Sequence, residues 1–165
     1  QIIHRDEVWL LEDMASQNGV YLRIADEFML EDGDEIIMGQ QHFIFHQHPT
    51  IVVQKPSGQA DARVMGSPAP HHLPHLLHVL DRGLLGGLYP LRTKTVIGRM
   101  NAHVICPDDL HLDEQHAMVL ERDGTYYLQD NHSSFGAFLR VRQPIELFSG
   151  DCFLLGRTRL HIFYA

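Results

Sequence analysis

Residues 5–39, "RDEVWLLEDMASQNGVYLRIADEFMLEDGDEIIMG", fall without a gap on residues 122–156, "RDGTYYLQDNHSSFGAFLRVRQPIELFSGDCFLLG", when the chain is shifted by 117 residues. Arg5 meets Arg122, Leu11 meets Leu128, Asp13 meets Asp130, Ser16 meets Ser133 and Gly19 meets Gly136. The agreement runs on through Leu22 and Leu139, Arg23 and Arg140, Leu30 and Leu147, Gly33 and Gly150, Asp34 and Asp151, to Gly39 and Gly156. Self-similarity at a fixed offset marks a repeated unit, so one unit used twice should set the fold.

Both copies read as β-structure. Short apolar or aromatic runs such as "VWLL", "EIIMG", "HFIF", "TYYLQ" and "RLHIFY" alternate with Asp, Gly, Asn and Ser clusters, and helical periodicity is nearly absent. Asp123–Gly124 between two such runs is a strong hairpin signal, and "EDGDEI" and "FSGDCF" mark a second turn in each copy. The expected architecture is all-β, with many short antiparallel strands in a sandwich or barrel. Between the copies, "QKPSGQADARVMGSPAP" is rich in Pro, Gly, Ser and Ala and reads as a tether. The expected organisation is therefore the C-terminal half of a first unit over residues 1–48, a Pro/Gly/Ser/His-rich linker over 49–73, and a complete second unit over 74–165 opening with a hairpin. The offset places the start of the first unit before Gln1. Its apolar faces and strand edges then need completing, either by upstream residues, which the abrupt start favours, or by a second polypeptide or strand exchange in an oligomer.

Bulk composition bounds the function. Hydrophobic residues make up 44% of the 165 and charged residues 21%, the balance of an ordinary globular protein. No apolar run approaches the roughly 20 residues of a membrane span, so no membrane insertion is expected. A formal net charge of −8 opposes broad contact with nucleic-acid phosphates. Two cysteines, Cys106 and Cys152, are too few for a disulfide framework and suggest a reducing, cytoplasmic setting.

At "VIGRMNAHVICPDDLHLDEQHAMV", residues 96–119, and the repeated loop that follows, the chain resembles the forkhead-associated (FHA) domain. The pattern of that family is Gly-Arg, then Ser-Arg-x-His, then Leu-x-Asp-x-x-Ser-x-Asn-Gly-Thr. Here Gly98–Arg99 supplies the first element, the stretch from Asp113 to His116 the second, and the stretch from Leu128 to Ala137 the third. In the first copy only the third element is present, from Leu11 to Val20. The resemblance implies an eleven-stranded sandwich that reads phosphothreonine in partner proteins. Arg99 then takes the position of the phosphate-binding arginine, Ser134 that of a phosphate-contacting hydroxyl, and His116 that of a histidine that braces the loops. Gly98, Gly19 and Gly136 serve backbone geometry.

Two positions depart from the pattern. Asp113 stands where the family has a phosphate-contacting serine, and Phe135 where it has a peptide-binding asparagine. A carboxylate repels a phosphate of charge about −1.5 to −2, and is expected here to pair with Arg99. Phe135 has neither the donor nor the acceptor of an amide. The resemblance therefore implies phosphothreonine binding by the loop of the first copy, where Ser16, Gln17 and Asn18 are retained, and its loss in the second.

Other candidates read as structural. Asp13 and Asp130 lie beside turns, where an aspartate commonly caps its own backbone. The run "HHLPHLLH", with His71, His72, His75 and His78, has residue types that ligate metals, but Pro74 and a linker setting offer no rigid cage, so no metal is expected. No nucleophile–base pair or nucleotide loop is evident, so neither enzymatic activity nor a cofactor is expected. The leading function is an adaptor that binds a protein partner. The alternative is a structural subunit of a larger assembly, such as a secretion apparatus, binding independently of phosphate.

Overall fold

A computed structural model describes residues 1–47, 73–80 and 83–164, so most of the expected linker lies outside the described residues. Among the described residues, sixteen strands make up the regular structure. The first repeat supplies β1 (Ile2–Arg5), β2 (Val8–Leu11), β3 (Val20–Arg23), β4 (Glu27–Met29), β5 (Glu35–Met38) and β6 (Gln41–His46). After the linker come β7 (His75–Val79), β8 (Leu85–Pro90), β9 (Lys94–Gly98) and β10 (Val104–Ile105). The second repeat supplies β11 (Ala117–Arg122), β12 (Thr125–Asp130), β13 (Ala137–Arg140), β14 (Ile145–Leu147), β15 (Cys152–Leu155) and β16 (Thr158–His161).

These strands form three sheets: β1-β2-β14, β10-β9-β11-β12-β4, and β16-β15-β3-β13-β5-β6-β7-β8. All pairings are antiparallel except β9 with β10. The expectation of two units lying one after the other meets a different arrangement, because each sheet contains strands of both repeats. β4 and β5 of the first repeat pair with β12 and β13 of the second. Conversely, β14 and β15 of the second pair with β2 and β3 of the first.

The exchange is reciprocal to the residue. Ala137, Phe138 and Leu139 of β13 face Met38, Ile37 and Ile36 of β5. Their counterparts Val20, Tyr21 and Leu22 of β3 face Leu155, Leu154 and Phe153 of β15. The same holds for Leu128 with Phe28 and for Leu11 with Ile145. The centre of the long sheet is the pairing of β3 with β13, in which Leu22 faces its own counterpart Leu139. A pseudo-twofold axis therefore runs between these two leucines.

The backbone repeats as faithfully as the register. Asp6 and Asp123 adopt φ of 50° and 51°, and Ala15 and His132 adopt 53° and 54°. Gly19, Gly33 and Gly39 share their positive φ with Gly136, Gly150 and Gly156. Asp34 and Asp151 close equivalent turns, accepting the backbone N–H of Glu31 at 2.8 Å and of Phe148 at 2.7 Å.

Period-2 patterning turns one face of each strand inward and gives each half its own core. In the larger half, Ile36, Met38, Phe43 and Phe45 of the first repeat pack with Leu76, Ile97, Val119 and Leu128. In the smaller half, Leu11 and Val20 pack with Val141, Leu147 and Phe153. Around the pseudo-twofold, Tyr21 and its counterpart Phe138 form a third cluster with Cys152. Since each core mixes both repeats, neither repeat can leave without opening it, and truncating a fully buried Phe43 or Leu128 to Ala would cost about 3–5 kcal/mol.

Candidate functional site

The loops that follow β9, β10 and β12 meet at one end of the larger half, and one histidine ties them together. His116 is fully buried. Its Nδ1 accepts the backbone N–H of Asp113 at 3.2 Å, and its Nε2 donates to the carbonyl of Gly136 at 3.0 Å. Because an N–H can only donate and a carbonyl only accept, these partners fix the neutral tautomer with the proton on Nε2. The His116 backbone N–H in turn reaches the Ile97 carbonyl of β9 at 2.8 Å.

Gly98 is required where β9 enters this cluster, since a Cβ there would collide with the backbone carbonyl of Glu114. Immediately afterwards the Arg99 backbone N–H donates to the Asp113 carbonyl at 2.9 Å. Arg99 and Asp113 are thus neighbours, but not as the sequence suggested: among the described residues no ion pair joins their side chains. Asp113 Oδ2 instead accepts the backbone N–H of Ser134 at 2.7 Å. An amide of the adjacent loop has taken the carboxylate that was expected to occupy the arginine. Arg99 Nε is buried and has no hydrogen-bond partner among the described residues.

Ser133 rigidifies the third loop. Its Oγ and backbone N–H both donate to Asp130, and Gly136 N–H donates to Ser133 Oγ at 2.9 Å. Phe135 is 38% exposed at the tip, with the His111 ring edge-on at a centroid distance of 4.6 Å. The Arg159 guanidinium lies 5.8 Å from the Phe135 centroid, within cation–π range. Neither His111 nor Arg159 had a motif to announce it. Arg159 comes from β16, in the C-terminal hairpin that the exchange carries to the smaller half.

The corresponding loop of the first repeat forms a separate site. Ser16, Gln17 and Asn18 are exposed and, with Gly19, Asp13, Met14 and Leu155, line a cavity of about 290 Å³. Asp13 caps this loop, accepting the Ser16 N–H at 3.0 Å. Hydrogen bonding from Ser16 is the largest influence holding the Asp13 carboxyl below its ordinary range, with Arg140 assisting. The nearby cation is already engaged, since Arg140 pairs with Glu35 and approaches Asp13 Oδ2 at 3.7 Å. The site residues expected from sequence therefore fall in two groups, one around Arg99 and one around Asn18.

Two further groups read as structural. Burial pushes both thiols, Cys106 and Cys152, above their ordinary range, which favours the protonated and unreactive form. Of the histidine run, His71 and His72 lie outside the described residues. His75 and His78 belong to β7, where His75 Nδ1 donates to the Leu73 carbonyl at 2.8 Å and His78 stacks on Phe43.

Residues 95–156, from β9 through β15, match the model of the FHA domain family. FHA domains are β-sandwiches that bind phosphothreonine-containing protein partners without catalysis. No curated protein matches the chain, and no solved structure does. The matched segment is continuous in sequence, yet its last two strands, β14 and β15, pair across the pseudo-twofold with the first repeat. No helix among the described residues is long and apolar enough to cross a membrane.

Proposed function

We propose that this chain is a non-catalytic protein-interaction module that captures a phosphorylated segment of a partner at the Arg99 end of the larger half. The buried Arg99 Nε without an acceptor carries this reading. A buried donor left unsatisfied costs about 1–3 kcal/mol, and a turn of the half-buried Arg99 side chain would present its guanidinium to an arriving phosphate oxygen in a charge-assisted hydrogen bond. The side chain of Ser134, at the rim, is a second donor. Phe135 with His111 and Arg159 replaces the usual amide anchor by an aromatic and cationic platform, so the peptide would be held by side-chain contact more than by backbone pairing.

We put the phosphate here, against the expectation that the first copy keeps it and the second loses it, because Arg140 beside the Ser16–Gln17–Asn18 loop is spent on Asp13 and Glu35 while no ion pair among the described residues occupies Arg99. That loop would serve as a polar surface for unmodified peptide. One observation favours the alternative, a structural subunit indifferent to phosphate: the Asp113 carboxylate stands at the mouth of the site. Titrating the chain with a phosphothreonine peptide library and its unphosphorylated twin separates the two. The proposed function requires at least a tenfold preference for the phosphorylated set; equal binding of both sets supports the alternative.

A further inference from the structure

The pseudo-twofold lets one half of the molecule serve as a template for the other. Tyr21, Glu35 and His42 alternate along their strands with the core residues Val20, Ile36 and Phe43, and so lie on the opposite face of the long sheet. There the Glu35 carboxylate pairs with Arg140, accepts the Tyr21 hydroxyl at 3.1 Å and lies 3.1 Å from His42 Nε2. Strand register brings them together. Glu35 precedes Ile36, which faces Leu139, the neighbour of Arg140, and His42 faces Ile37.

The counterparts are Cys152 for Glu35, Arg23 for Arg140, Arg159 for His42 and Phe138 for Tyr21. The register repeats, with Phe153 facing Leu22 and Leu154 facing Arg159. Both basic positions are therefore kept, one of them now a permanently charged guanidinium, while the carboxylate between them is gone. Arg23 retains its loop contacts to Asp130 and Ser133 but has no equivalent of the Arg140–Glu35 pair. Among the described residues Arg159 has no ion pair, and its guanidinium lies over the Phe135 ring. Burial pushes the Cys152 thiol up, but Arg159 and Arg23 both draw it down, so the two cations bear on one spot. Asp151, next in sequence, accepts the Phe148 N–H at 2.7 Å in its own turn. The spot is on a sheet face, not at an edge. In the larger half β7 covers β6, yet Glu35 and His42 keep 22% and 29% of their side chains exposed, so strand cover leaves the equivalent face open.

We propose that Arg23 and Arg159 form a carboxylate-binding site for an aspartate or glutamate side chain of a partner segment, which takes the place that Glu35 holds in the other half. Guanidinium forks match the two oxygens of a carboxylate and bind it through charge-assisted hydrogen bonds. Arg23 holds the Ser133 carbonyl and Arg159 lies over Phe135, so the site borders the loop that also carries Ser134. A net charge of −8 disfavours acidic segments over the surface as a whole, so a preference for them requires a local basic site. The inference does not rest on the phosphate reading, since it uses neither Arg99 nor Ser134.

The probes are two peptide libraries of one design, with Asp and Glu at the flanking positions of the first and Asn and Gln at those of the second. Each is made with a central phosphothreonine and with unmodified threonine. The parent chain should bind the acidic library at least tenfold more tightly than its amide twin, in the phosphorylated or the unmodified pair, and Arg159→Gln should reduce that ratio to about one. Arg159 is exposed, so this variant should fold. Arg157→Gln removes an exposed charge from the adjacent turn and should leave the ratio unchanged. Cys152→Glu supplies the missing carboxylate from within the chain and should abolish the preference; if it does not fold, Arg159→Gln decides alone. No acid preference in either pair would overturn the proposal, as would a preference that survives Arg159→Gln or is lost equally in Arg157→Gln. Failure of the phosphate reading shows differently, as equal binding of phosphorylated and unmodified peptides.

Discussion

Arg23 of the first repeat reaches Asp130 of the second at 3.8 Å, while its counterpart Arg140 reaches Asp13 at 3.7 Å. Each arginine therefore serves the loop of the other repeat. Arg23 also donates to the Ser133 carbonyl at 3.1 Å, so it binds the backbone of the loop that carries Ser134 and Phe135. Both arginine side chains pass the loop glycines closely: a Cβ on Gly136 would collide with Arg23, and one on Gly19 would press on Arg140. The exchange of strands and the shape of the two candidate peptide loops are thus one structural fact.

Removing either guanidinium should loosen the exchange. Arg140→Met breaks contacts to both Glu35 and Asp13 and should cost about 1–2 kcal/mol, allowing for partial solvent screening. Arg23→Met should cost less, about 1 kcal/mol, since its charge partner is the single carboxylate Asp130. Urea denaturation with an unchanged m-value measures both.

Stability should fall in acid through the same contacts. Burial pushes the Glu35 carboxyl up, but hydrogen bonding and charge from Arg140, with Tyr21 and His42 assisting, outweigh it and leave it below its ordinary value. Asp13 is also held low, chiefly by Ser16. A carboxylate with a depressed folded pKa contributes stability that is present above its unfolded value, about 4, and disappears as pH falls through the folded value. Asp34, raised by burial, acts in the opposite sense and is relieved by protonation. Unfolding midpoints measured from pH 6 down to pH 3 should therefore decline, and Arg140→Met should flatten that decline.

The brace at His116 is testable without any ligand. Substitution by Ala strands the Asp113 N–H and the Gly136 carbonyl, and should cost about 2–4 kcal/mol. Gly136→Ala should be comparably damaging, because a side chain is disfavoured at φ +89° and would strike Arg23. Thermal unfolding of both variants checks this. A loss below about 0.5 kcal/mol, the range of ordinary surface substitutions, would contradict the bracing role.

The departures from the family pattern make a gain-of-function prediction. Asp113→Ser removes a carboxylate from the mouth of the site while keeping an oxygen that can accept the Ser134 N–H. Combined with Phe135→Asn, it should raise affinity for phosphothreonine peptides about tenfold, roughly the 1.4 kcal/mol of one charge-assisted hydrogen bond. Isothermal titration of the parent and the double variant reads the change.

Much of this was legible in the sequence. The 117-residue offset identified equivalent turns, and Ala15 and His132 do adopt the same positive φ. The family resemblance pointed to Gly98, Arg99, His116 and Gly136, and these residues lie in loops that the His116 contacts tie together. The strand exchange was not legible, because Ile36 and Phe153 carry the same inward apolar pattern, and pattern alone does not say which copy completes which body. Nor was the fate of Asp113, whose partner is a backbone amide and so has no sequence signature. Asp109 was missed for a related reason. It accepts the Gln40 N–H at 2.7 Å and the Gln41 side-chain amide at 2.8 Å, a contact created by the exchange itself.

The central claim is that Arg99 reads a phosphate. The most direct test is the affinity of one peptide with and without its phosphate, measured for the parent chain and for Arg99→Ala. The parent should bind the phosphorylated form at least tenfold more tightly, and Arg99→Ala should reduce that ratio to about one while leaving affinity for the unphosphorylated form unchanged, since each tenfold step is about 1.4 kcal/mol. A ratio of one in the parent chain, or a preference that survives Arg99→Ala, would contradict the claim.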